Sequence, residues 1–331
     1  MSGDRCTRSL TIVPPAEVMD REVIREEKWR VATLLPEISS NDKCIRWLAR
    51  RRLICNAVQC PSCQHPATLV VDEQHIDGHR WRCHRCRFTC SVRHESVFVE
   101  SRLSLKQIIL CVYFWALDLP YKNIARECSM DNKRIVVDWC NSFREECESA
   151  LDRQSSAIGG LDENGKPLVV EIEQTKYFHR KYREGEWEEG HWVFGGIERG
   201  TEKCFLAEVQ DRSPRSLQEK IMEYILPGSH IVSEGWATCA NIPYIRQQGL
   251  GYTHSVIVRE QYFDSRHSEE TVRTANTQSM WLMAKQKFNE QFGSRQKLSP
   301  LYLHEFLYRN AYRGRDLFSN FIVDVSECYL W

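Results

Sequence analysis

The sequence predicts a multidomain α/β fold, and three observations carry the prediction. Two cysteine pairs punctuate a segment of short β-like runs near the front, and a helical stretch follows it. The second half then alternates in the order β-β-β-α-β-α-β-α, which argues for one mixed sheet flanked by helices. A length of 331 residues suggests roughly two or three domains, and 42% apolar content is enough to bury a core.

Charge excludes little overall, because Lys+Arg and Asp+Glu are both 45. Its distribution says more. Arg80, Arg82, Arg85, Arg87 and Arg93 fall within a stretch holding no carboxylate, and such a patch on a neutral chain suggests a dedicated polyanion-binding face. The opening MSGDRCTRSL has no apolar run and does not read as a secretory signal. The longest apolar stretch, 108–117, is about half of what a membrane span needs. Fifteen cysteines without an export signal argue against a disulfide framework and for reduced thiols. The expected location is intracellular, and nuclear if the source is eukaryotic.

Taken in order, 1–54 reads as an arm followed by a helix. Residues 1–40 mix charges with a Pro14-Pro15 pair and show weak helical character at 17–35, while 42–53 is a clearer helix. The segment 55–102 carries the β-like runs 68–71, 79–82 and 88–92. In 103–152, Ser104 opens an apolar helix, Pro120 breaks it, and helices at 124–128 and 133–150 follow. Gly159-Gly160 and Asn164-Gly165 break a linker at 155–166. The last domain, 165–325, has strands at 168–173, 192–197, 204–209, 230–233 and 253–258. Its helices fall at 214–226, 237–248, 275–292 and 300–312, the last being the final clear one.

Cys60, Cys63, Cys83 and Cys86 form two C-x2-C pairs nineteen residues apart. Each pair presents two thiolates converging on one point, as tetrahedral Zn(II) requires, so 55–102 is expected to be a small module built around a structural zinc ion. His65, His84, Cys55 and Cys90 lie close enough in sequence to compete as ligands. The second pair sits among Arg82, Arg85 and Arg87, and basic side chains on a rigid hairpin suit phosphate contact. The following helices at 124–128 and 133–150, joined by a turn at 129–132, make a helix-turn-helix-like segment. Asn132, Lys133 and Arg134 would then face a major groove, over a core of Ile124, Ala125, Ile135, Val136 and Trp139. An ordinary helical bundle fits that pattern equally well.

The run 60–99, followed by VVEIEQTKYFHRKYREG, HWVFGGIERG, KCFLAEVQDRS, YILPGSHIVSEGW, GYTH, RTANTQSMW and LYLHEFLYR, resembles the Merlin-type DNA transposases and their bacterial insertion-sequence relatives. The likeness spans about residues 45 to 320, with the motifs in the family's order. It implies a zinc ribbon, a helical DNA-binding segment and an RNase H-like catalytic domain of the DDE type. The implied partner is DNA, ancestrally terminal inverted repeats, on which such proteins act as multimers.

The family's chemistry is phosphoryl transfer with two Mg(II) ions held by three acidic side chains. The corresponding positions in this chain are Glu173, Glu234 and Gln278, where the family has Asp, Asp and Glu. Glu for Asp moves a carboxylate by about 1.5 Å, and misplacement of about 1 Å can cost on the order of 100-fold. At Gln278 a neutral amide replaces a charged ligand. Gln174 departs too, where the family usually has Glu. Glu171 lies on the same strand face as Glu173, and Asp211, Asp264, Glu269 and Glu270 are nearby acids that could substitute.

The expectation is a transposase-derived DNA-binding protein that keeps structural Zn(II) and has lost cleavage and strand transfer. An active transposase with an atypical metal site is the first alternative. A protein-interaction scaffold without DNA binding is the second.

Overall fold

The computed structural model describes residues 9–153, 157–176, 181–183, 186–188, 192–201, 203–234, 237–247, 249–257, 280, 282–284 and 300–328. The chain forms two compact units. The first combines Met1–Glu146 with Tyr312–Trp331, and the second is Cys147–Ala311. The molecule is thus mixed α/β, with several helices and sheets.

The first unit begins with helices α1 (Arg21–Arg25), α2 (Val31–Glu37) and α3 (Asn41–Arg50). Strands β1 (Thr68–Val71), β2 (His79–Arg82) and β3 (Thr89–Ser91) form an antiparallel sheet in sequence order. Helices α4 (Leu105–Ala116), α5 (Tyr121–Glu127) and α6 (Lys133–Arg153) follow. α4 starts where it does because Ser104 and Gln107 make a reciprocal capping box, satisfying two end N–H groups. Its residues Ile108, Ile109, Leu110, Cys111, Val112, Tyr113 and Trp115 are all buried, so this helix is apolar around nearly its whole circumference. It packs against α3, α5 and a closing helix, Leu317–Glu327. Trp115 meets Phe321 with ring centroids 4.8 Å apart and Phe143 at 5.3 Å, while Tyr113 meets Phe318 edge-on at 5.4 Å. Burying each such ring contributes about 2–3 kcal/mol.

The closing helix lies beyond 312, where the sequence shows no further clear helix. Asp316 caps it through the Ser319 N–H at 2.9 Å, and its residues 318–326 are buried. The opening segment is likewise better specified than an arm. Arg25 pairs with Asp324 at 2.8 Å and Arg21 donates to the Ser326 carbonyl at 3.1 Å. Arg51 stacks over the Trp47 ring at 4.2 Å and pairs with Glu27 at 2.6 Å. The Arg25, Arg21 and Glu27 partners lie 24 or more residues away, so local periodicity carries no sign of them.

The second unit contains β4 (Ile158–Gly159), β5 (Val169–Lys176), β6 (Lys181–Arg183), β7 (Glu186–Glu188), β8 (Trp192–Glu198) and β9 (Cys204–Val209). Next come α7 (Pro214–Tyr224), β10 (Ile225–Leu226), β11 (His230–Glu234) and a 3-10 helix (Ala237–Tyr244). β12 (Arg246–Gln247), β13 (Leu250–Gly251), β14 (Thr253–Ile257) and α8 (Pro300–Ala311) complete the described elements. The main sheet has the order β14-β11-β5-β8-β9. β5, β8 and β9 run antiparallel in succession, and β11 lies parallel to both β5 and β14.

Both faces of this sheet are covered. Val170, Ile172, Phe194 and Phe205 pack with Leu217 and Ile221 of α7 on one face. Val193, Ile197 and Leu206 pack with Met280, Ala284 and α8 residues Leu303 and Phe306 on the other. Gly196 is required by this packing, since a Cβ there would sit 2.6 Å from the Phe205 ring. The helix expected over 237–248 is shorter than the sequence suggests. Pro243 removes a donor within it, and Arg246–Gln247 turns into strand. Of the long helix expected at 275–292, residues 280 and 282–284 are helical and the others lie outside the described residues.

Candidate functional site

The two cysteine pairs of the first unit fold as near-copies of one another. Cys60 donates its N–H to the His65 carbonyl at 2.9 Å, and Gln64 donates back to the Cys60 carbonyl at 2.8 Å. Cys83 and Phe88 repeat the first bond at 2.8 Å, and Arg87 and Cys83 repeat the second at 3.0 Å. Gln64 and Arg87 both take left-handed backbone, at φ 57° and 62°, closing each loop. This shared geometry brings four Sγ atoms within 4.8 Å of one another. Cys60 and Cys86 are 3.1 Å apart, Cys63 and Cys83 3.5 Å, and Cys63 and Cys86 3.7 Å.

A tetrahedral Zn–S₄ centre with bonds of about 2.3 Å needs sulfurs about 3.8 Å apart, so the cluster fits Zn(II) with small outward adjustments. Burial opposes ionisation of Cys60, yet hydrogen bonds from the Cys86 thiol and the Cys63 and Ser62 amides lower its pKa to about 6. Cys83 is lowered in the corresponding way, first by the Cys86 amide and, against burial, by that of Arg85. Backbone donors aimed at the first thiolate of each pair favour the metal-binding form. Among the described residues this is the one group of three or more such side chains placed to hold an ion. His84 instead meets the Thr68 hydroxyl at 2.6 Å, and His65 meets the Arg85 guanidinium at 2.9 Å.

The arginines of this segment divide by environment. Arg82, Arg85 and Arg87 are exposed on and beside the second cysteine loop. Arg80 is ion-paired with Asp72 at 3.0 Å. Arg93 is only 2% exposed and holds Asp77 through Nε at 2.7 Å and Nη2 at 2.6 Å, while bonding the Ser101 and Leu103 carbonyls. Its donors tie the end of the three-stranded sheet to the start of α4. Its place in a basic run gave no sign of this, because Asp77 is sixteen residues away.

α5, the turn at 128–132 and α6 occur where the helix-turn-helix pattern places them. Asn132, Lys133 and Arg134 are exposed at the start of α6, and the Asn132 side chain accepts the Arg134 N–H at 2.9 Å. Ile124, Ala125 and Val136 are buried as expected, joined by Cys128, Met130 and Cys140. Ile135 is 36% exposed, which removes it from that core.

In the second unit Glu173 is half-buried on β5, opposite Gly195 of β8. Glu234 is the last residue of β11. Ser233 pairs with Ile172, which sets positions 234 and 173 side by side one step further along two parallel strands. Gln278, Asp264, Glu269 and Glu270 lie outside the described residues. Glu171, on the same face as Glu173, is fully buried and bonded to Arg199 at 2.6 Å. Gln174 points to the opposite face, where its amide donates to the Asp211 carbonyl at 3.2 Å and accepts from Arg212 Nε at 3.3 Å.

Residues 157–311 match the ISXO2-like transposase domain. The match takes in the five-stranded sheet, α7 and α8, and it supports an IS-type transposase origin for this part of the chain. No curated protein matches the chain. A transposase domain implies DNA as partner, and the DDE transposases ordinarily use divalent metal ions. No helix among the described residues is long and apolar enough to cross a membrane. The links from the transposase domain's β5 to Arg212 and Arg199 have no counterpart in the sequence pattern. Only the oddity of Gln174 pointed toward the first of them.

Proposed function

We propose that the chain is a transposase-derived, Merlin-type DNA-binding protein that has lost DDE cleavage and strand transfer. The 55–102 segment acts as a zinc ribbon whose Cys60, Cys63, Cys83 and Cys86 hold one structural Zn(II). Arg82, Arg85 and Arg87, with Asn132, Lys133 and Arg134 of the helix-turn-helix-like segment, supply the DNA contacts. The second unit is an RNase H-like domain, a reading supported by its sheet order and by two antiparallel pairings followed by two parallel ones.

One observation carries the reading. The register sets positions 173 and 234 next to one another on adjacent parallel strands, inside a matched transposase domain. That is where the metal-holding acids of such a site belong, and both positions carry the longer Glu. With Gln278 as the third member, the donor set is two lengthened carboxylates and a neutral amide. It fits octahedral Mg(II) poorly.

The test uses the full chain, a duplex bearing candidate terminal inverted repeats, and Mg(II) or Mn(II). The expected result is salt-dependent binding without cleavage or strand transfer. Robust cleavage that disappears in Glu173→Ala would overturn the loss of chemistry. Binding that is untouched when Arg82, Arg85 and Arg87 are all changed to Glu would overturn the DNA-binding assignment in favour of an interaction scaffold.

A further inference from the structure

Helices α4 and α6, the closing helix and the strap 96–101 border a cavity of about 490 Å³ in the first unit. Its buried side is apolar, made by Ile109 and Val112 of α4 with Phe321 and Val325 of the closing helix. Half-buried Trp139 of α6 also lines it, with its ring centroid 5.7 Å from that of Phe143. The strap is held by Arg93, which does not line the cavity. Arg93 donates to the Ser101 carbonyl at 2.8 Å, and the Ser96 hydroxyl donates to the Arg93 carbonyl at 2.7 Å. The space is therefore bounded by elements fixed independently of any ligand. Its volume falls in the range of small-molecule sites, about 300–1,000 Å³.

The charged part of the lining has one sign. Glu100, Asp138 and Glu146 contribute carboxylates, and no Lys, Arg or His lines the space. Glu100 and Asp138 are exposed, and neither has an ion-pair partner among the described residues. Glu146 accepts the Cys328 thiol at 3.2 Å. An anionic ligand would meet like charges at this rim, whereas an ammonium is attracted by both exposed carboxylates. The Trp139 indole face attracts a cation as well. We propose that the cavity is a binding site for a small apolar amine. Its hydrocarbon or aromatic body lies against the apolar side, and Asp138 and Glu100 attract its ammonium beside Trp139. The site is built from first-unit residues alone and does not depend on the DNA-binding reading.

The test titrates the full chain with three naphthalene compounds that differ in charge. They are 1-naphthylmethylamine, protonated at neutral pH, 1-naphthylmethanol and naphthalene-1-sulfonate. Calorimetry should show one amine site per chain, with the amine bound more tightly than the alcohol and on the order of tenfold more tightly than the sulfonate. Asp138→Asn should weaken amine binding about two- to fivefold and leave the alcohol unchanged. Glu100→Gln should act in the same way. Ser142→Phe, at an exposed position that lines the cavity, should block the amine and the alcohol alike. Absence of amine binding, or amine bound no better than alcohol or sulfonate, overturns the inference. So does amine binding that survives Ser142→Phe unchanged. If Ser142→Phe fails to fold, the two carboxylate variants, both at exposed positions, locate the amine instead. An affinity untouched by both of them overturns the site.

Discussion

Arg25 Nη2 stands 2.8 Å from Asp324 Oδ1, an ion pair closed across 299 residues. The Asp324 side chain is 4% exposed and also accepts the Tyr312 hydroxyl at 2.8 Å. Asp324→Ala removes the closer of Arg25's two carboxylates, leaving Glu327 at 3.2 Å, and takes away the buried acceptor of the Tyr312 hydroxyl. It should therefore cost the first unit about 1–3 kcal/mol, read as a lower urea midpoint. Replacing the exposed pair of Arg46 and Asp42 should cost less than about 0.5 kcal/mol in the same assay. Equal effects from the two changes would contradict the clasp.

The thiol cluster predicts one zinc per chain by elemental analysis. Cys83→Ser should lose the metal and expose the three-stranded sheet to protease, because folding and metal binding are coupled there. Cys111→Ser, at a buried cysteine outside the cluster, should retain full zinc content. A stoichiometry near zero in the wild type would refute the centre.

Acidification should weaken the second unit. His254 is held below its ordinary pKa by burial and then by His230, and His230 by burial and then by Arg199. The folded state therefore binds fewer protons than the unfolded state. Stability is complete above about pH 6.5 and is lost as the pH falls from there through the lowered folded values. His254 also meets the Ser233 hydroxyl at 2.9 Å on the neighbouring strand. Melting of the Cys147–Ala311 unit at pH 7.5 and 5.5 should show the drop, and His254→Asn should reduce it.

Gln174→Glu, although it restores the residue expected from the family likeness, should destabilise the second unit by about 1–3 kcal/mol. It removes the donor to the Asp211 carbonyl at a site only 6% exposed. Thermal denaturation settles the sign, and a more stable variant would contradict a donating role for the Gln174 amide.

Much of the fold was legible because its signals are local. Thr68–Val71 and His79–Arg82 emerge at the expected residues, since β-branched and aromatic runs between loop residues carry their own period. The capping box at Ser104 and Gln107 likewise marks the start of α4 within a few residues of sequence. Metal-ligand spacing is local in the same sense, and Cys60, Cys63, Cys83 and Cys86 gather as the spacing requires. What could not be read depends on distant partners. Arg93 looks like its neighbouring arginines until Asp77 is seen beside it, and the closing helix acquires its setting from α1 and α4. The pairing of positions 173 and 234 is likewise a property of strand order, which sequence periodicity does not encode.

The second unit occupies the interval between residues 146 and 312 of the first. A ribosome making this chain from its N-terminus delivers the cysteine cluster early, but the helix that buries Trp115 and holds Arg25 only at the end. Nascent chains should therefore complete the Cys147–Ala311 unit before the one that carries the cysteine cluster. A frameshift anywhere in the later half would remove that unit's closing helix, so damage far downstream should reach the unit that carries Cys60, Cys63, Cys83 and Cys86.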